Sequence, residues 1–276
     1  MIERNAERQE KLRRLVGLRY SAVAVKMVED EAILPECAER PFADWGKHIA
    51  LCQAFAFSRR QGKTLYLRKE DHWCWNPIIT YGLIDDETAV APFKNAAMAS
   101  GGDPAKAEAF INGFPKLPYG KYKGMLLAPL EKADFEPDVT LIYCKNDQLR
   151  LFLQAIDTQT GSMLDSSFTP LDSCTYSVIP SMQDGKYRIT LPDPGEYERA
   201  LTPEDDIILS VPAAREEEFY KGVETQIVRG DRNSFYKMMK EDFERPPFYN
   251  MIFEAWGLGT SEVWDKPITK MPSRDN

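Results

Sequence analysis

One stretch constrains the fold more than any other. "VTLIYC" (139–144) is rich in β-branched and aromatic residues, the composition of a buried strand. "KND" then turns straight into "QLRLFLQAIDTQTG", a helical segment that Gly161 stops. A strand that feeds a helix across three residues must bury its faces against further layers, so the chain is read as a layered protein of sheet and helix.

Other segments extend that theme. Residues 3–16 place Leu12, Leu15 and Val16 at helical spacing, and Gly17 is a natural stop. "SAVAVKMV" (21–28) is a valine-rich strand. After a loop punctuated by Pro35, Pro41 and Gly46, a helix is expected from Lys47 to Arg60, with Ile49, Cys52, Phe55 and Ala56 on one face. Gly62 caps it and "TLYLR" follows as a strand. Beyond a break at Gly101–Gly102, Asp103 and Pro104 mark a helix start. "GKYRITLPDPGEYERALTPEDD" reads as a strand pair with an acidic loop, "IILSVP" as a strand and "AREEEFYKGVETQI" as a helix. Strands and helices alternate without regular βαβ spacing. The expected class is therefore α+β (mixed α/β), with mixed β-sheets flanked by helices. Residues 1–250 would form one domain, or two tightly packed lobes divided near 100–125. Residues 251–276 would add a C-terminal helix and a polar tail.

Charge removes some functions. There are 35 Lys and Arg against 43 Asp and Glu, a net charge of −8. Such a surface repels phosphate backbones and no dense basic cluster offsets it, so nucleic acid is not an expected partner. The first residues lack the apolar stretch of a signal peptide, and no run of about 18 apolar residues exists. A cytoplasmic protein with no membrane partner is expected.

The five cysteines, at 37, 52, 74, 144 and 174, are scattered and odd in number, which points to reduced thiols. The chain's two histidines both stand beside cysteines, in "KHIALCQAF" (His48, Cys52) and "EDHWCWNP" (His72, Cys74). On a helix His48 and Cys52 would share a face, and on a strand His72 and Cys74 would do so, with Trp73 and Trp75 turned into the core. Two such pairs could close a mixed nitrogen and sulfur site for zinc or an iron–sulfur centre. Against this, cysteine is among the most buried residue types, and the spacing matches no standard metal signature. The residues alone leave three readings open: packing thiols ahead of a metal site, and Cys74 as a nucleophile with His72 as its base. Lys26, which interrupts an apolar strand, could instead hold an anionic ligand in a cleft with Trp73 and Trp75.

Five segments, in order, resemble one family: "SAVAVKM", "LCQAFAFSRRQGKTLYLRKEDHWCWNPIITYGL", "FEPDVTLIYCKNDQLRLFLQA", "LDSCTYSVIP" and "ALTPEDDIILSVPA". They are similar to the domain-of-unknown-function family 169, found in archaea and anaerobic bacteria, over roughly residues 15–225. The resemblance carries no settled activity. It implies a pattern of three cysteines, falling here on Cys52, Cys74 and Cys174, and leaves Cys37 and Cys144 incidental. Many similar proteins carry a further cysteine where this chain reads "ITLPDPGEYERAL", which has none. The resemblance thus favours three thiolates with a fourth position open or filled by His72, His48 being the reserve. The function expected is an iron–sulfur or zinc-binding redox protein with a redox partner. The alternative is a module binding a small organic anion through Lys26, Trp73 and Trp75, with structural cysteines.

Overall fold

The computed structural model describes residues 1–229 and 247–257, and the chain divides into two compact units, Met1–Gly230 and Asp231–Asn276. The first unit is an α+β protein built on one open sheet of six strands. These are β1 (Val23–Val28), β2 (Leu65–Leu67), β3 (Gly124–Pro129), β4 (Val139–Lys145), β5 (Arg188–Thr190) and β6 (Asp206–Pro212), in the order β2-β3-β1-β4-β6-β5. Every pairing is antiparallel, with β4 against β6 the longest, from Val139↔Pro212 to Lys145↔Asp206.

Strands buried on both faces explain the near-continuous apolar runs, because alternate side chains enter two separate cores. On one face Ala24, Ile142, Leu209 and Val211 meet three amphipathic helices: α1 (Ile2–Val16), α7 (Asn146–Thr160) and α11 (Glu216–Arg229). The caps fall where the sequence placed them, with Gly17 and Gly161 both left-handed. Helices α7 and α11 touch at Gly222, where a Cβ would run into the Ala155 carbonyl.

On the other face Val23, Val25, Leu127, Leu141 and Tyr143 form the second core. It is covered by α3 (Leu51–Gln61) through Leu51 and Phe55, and by α8 (Ser173–Tyr176) and α9 (Ile179–Asp184). The short α2 (Pro41–Trp45) and α4 (Trp75–Thr80) flank this layer, and α10 (Pro194–Arg199) sits on α3. Asp103 accepts from Ala105 N to start α6 (Pro104–Asn112), as its position before Pro104 implies. With α5 (Asp86–Ala99) it makes a helical pair around Val90 and Ile111. In the second unit α12 spans Pro247–Ala255, and the polar tail lies outside the described residues. Among the described residues no helix is long and apolar enough to cross a membrane.

Three local expectations change. The helix expected from Lys47 begins at Leu51, because Ile49 instead bridges His72 and its N–H donates to the Asp71 carbonyl. Ala50 stays extended, its N–H capped by the Gln53 side chain. "HWCWNP" is not a strand: His72 makes a single bridge and Cys74 is the residue before α4. The acidic segment expected as a loop between strands contains α10, which Asp193 caps through Glu196 N.

Candidate functional site

The neighbourhood of the thiols is assembled by three elements that the second core holds together. Cys52 lies in the first turn of α3, Cys74 just before α4, and Cys174 in α8. Cys52 and Cys174 are buried, Cys74 half-buried. The Cys174 thiol lies within electrostatic reach of Cys52, Cys74, Asp172 and Asp193, so residues 22 and 100 positions apart in sequence share one environment. The Tyr81 hydroxyl fixes α8 by donating to the Cys174 carbonyl at 2.7 Å.

Burial makes all three thiols weak acids. It pushes Cys52 up to about 12, with Glu196 adding to the effect and Arg199 opposing it. Burial also raises Cys74, against the Asn76 backbone N–H and Arg199, and raises Cys174 well above the ordinary thiol value. In this state the thiols are neutral, unlike activated nucleophiles.

The segment "PDPGEYER", where the resemblance anticipated a further cysteine, supplies the remaining groups. The Cys52 thiol donates to the Gly195 carbonyl at 3.5 Å. Arg199 lies against Cys52 and stacks over the Trp73 ring, 5.1 Å from its centroid. Asp193 receives the Ser173 and Glu196 amides, tying α8 to α10. Behind them Glu196, fully buried, accepts from Tyr143 and Thr202, both at 2.6 Å. Arg59 donates to Thr202 at 2.7 Å and lies 3.9 Å over the Tyr143 ring. Among the described residues, two that are not glycine adopt left-handed backbone, Asp172 and Leu201, and they flank α8 and α10. Such strain concentrates where surrounding structure imposes it. Burial and Asp193 lift the Asp172 carboxyl to about 6. Two buried polar atoms beside the thiols, Asn76 Nδ2 and Ser173 Oγ, have no hydrogen-bond partner.

The two histidines are placed differently. His72 is 6% exposed, its Nδ1 unpartnered, and burial lowers its pKa to about 4 against a smaller opposing effect of Asp71. It stands two residues before Cys74, both in extended backbone. His48 precedes α3, so it shares no helical face with Cys52. It is exposed, stacks on Phe42 and bonds the Glu70 carbonyl. Trp73 and Trp75, expected in the core, are 52% and 39% exposed because no strand turns them inward. Trp75 packs edge-on against Phe93 and Phe114. Lys26 belongs to a different place: it shares with Ala24 and Val28 the sheet face opposite the second core and pairs with Asp138 at 2.7 Å. Cys144 is buried in the opposite core and Cys37 is exposed. Sequence reasoning missed Arg199, Asp193 and Glu196, whose only signal was that their segment aligns with a cysteine-bearing one in similar proteins.

Fold and site together define an α+β protein with a thiol-rich, arginine-flanked site on one sheet face. A family model matches residues 11–222, most of the chain, and the chain belongs to that family: the uncharacterised ArCR proteins, domain of unknown function 169. No curated protein and no solved structure was found to match it.

Proposed function

We propose that the chain is a thiol-ligated metal protein in which Cys52, Cys74 and Cys174 hold an iron–sulfur cluster. The observation that carries this reading is the convergence of three thiols from three separate parts of the chain. The donor chemistry fits, since thiolates select soft metals and cluster irons. Among the described residues no group of three or more His, Cys, Asp or Glu side chains is set to hold one metal ion. That weighs against a ready-made zinc cage, whereas a cluster spreads its thiolates over separate irons. The fourth ligand position is open or filled by His72, two residues before Cys74. Loading must deprotonate thiols that burial keeps neutral, so it should release protons and strengthen as pH rises.

Protein expressed and purified without oxygen is expected to carry iron and acid-labile sulfide and to absorb in the visible. Replacing any of the three cysteines by serine should remove most of both, while Cys37→Ser and Cys144→Ser should not. Colourless, iron-free and well-folded wild-type protein would sink the reading. Zinc without sulfide would replace the cluster by a mononuclear site.

The second reading, a module for a small organic anion, is favoured by one observation, the arginine stacked on exposed Trp73. It does not use Lys26, which is committed to Asp138 on the other face.

A further inference from the structure

The geometry points to Arg199 as an anchor for a small organic carboxylate, bound beside Cys74 at the open side of the thiol site. This deepens the proposal above by naming the class of substrate that would approach the thiols, and it rests on that reading only for what happens after binding.

Four observations converge on this side chain. The guanidinium lies against Gly195, whose missing Cβ makes the room: a methyl group there would overlap it. Its outer face is covered by the Trp73 ring, so it is held in place without a carboxylate. Among the described residues no Asp or Glu forms an ion pair with it, whereas Arg8, Arg40, Arg59, Arg188 and Arg215 each have one. Of the charged groups acting on Cys74, Arg199 is the strongest. A guanidinium that touches the Cys52 thiol but has no carboxylate partner still offers N–H donors for the fork that fits a carboxylate.

The surroundings also set the charge of the ligand. Asp172 and Asp193 lie near, and the single arginine offsets one negative charge, not two. Asp193 is already turned toward the Ser173 and Glu196 amides. A singly charged carboxylate therefore suits the site better than a phosphate.

Iodoacetate and iodoacetamide test this directly. They deliver nearly the same alkylating group, one as a small carboxylate and one neutral, and both need the thiolate. Their rate ratio at one cysteine therefore cancels that thiol's pKa. Exposed Cys37 in the same molecule serves as reference. In chelator-treated full-length protein, resolved by peptide mass spectrometry, the iodoacetate-to-iodoacetamide ratio at Cys74 should exceed that at Cys37 by about three- to fivefold, the scale of a half-exposed ion pair. Arg199→Ala should bring it down to the Cys37 value, and Arg199→Lys should keep part of it. Gly195→Ala should act like Arg199→Ala, because it evicts the guanidinium while leaving all three cysteines in place. Equal ratios at the two cysteines, or a raised ratio that survives Arg199→Ala, would overturn the assignment. If Cys74 resists both reagents, phenylglyoxal labelling of Arg199 decides: acetate protects it if the site binds carboxylates and leaves it reactive if not. Iron analysis reads the metal proposal and these ratios read this one, so either can fail alone.

Discussion

At the scale of single residues, His72 shows how position overrules residue type. Histidine beside cysteine suggests a ligand, yet this ring is sealed among backbone and core with Nδ1 unpartnered. Burial keeps it neutral by lowering its pKa to about 4, while in the unfolded chain it titrates near the ordinary histidine value of 6.5. Between those values the unfolded state binds more protons. Stability is therefore full above pH 6.5 and lost as pH falls through that window toward 4, by up to about 3 kcal/mol. Urea unfolding at neutral and mildly acid pH should show that loss in the wild type and a flatter profile in His72→Gln. The same slope in both would place the titration elsewhere. Arg199 makes the opposite point: an ordinary surface residue type becomes the charge that faces the thiols, through the absence of one methyl group at Gly195.

At the scale of elements, caps and periodicities were readable because they depend on neighbours within a few positions. Helix α7 runs from its turn to left-handed Gly161, and α6 starts on Asp103, as local chemistry dictates. The start of α3 was not readable, because four residues of apparent helix are pulled into an extended bridge with His72, 23 positions after Ile49. Helix packing adds another long-range demand at Gly222, where α11 approaches the Ala155 backbone of α7 too closely for any side chain. Gly222→Ala raises helix propensity but forces the two helices apart. It should destabilise the protein by about 1–3 kcal/mol, read from the urea midpoint at unchanged slope. A neutral or stabilised variant would mean that the helices slide apart freely.

At the scale of the whole molecule, the sheet, both cores and every candidate site residue belong to the unit Met1–Gly230, which encloses the family match at 11–222. A chain ended after Gly230 is therefore expected to unfold in one cooperative transition and to keep the iron content of the full chain. A broad, non-cooperative melt would show that residues 231–276 complete the fold. The sequence by itself determined the class: short apolar runs of strand composition, and helices with a single apolar stripe and marked stops. These features are local or additive, so order along the chain suffices to read them. Only the tertiary structure decided that Lys26 faces away from the thiols, that His48 leaves the helical face of Cys52, and that Trp73 lies at the surface under Arg199. A one-residue change of strand register exchanges the faces of a sheet, and an extended bridge in place of one helical turn moves a side chain off its face. No spacing within a single segment records either choice; the packing of distant segments makes it.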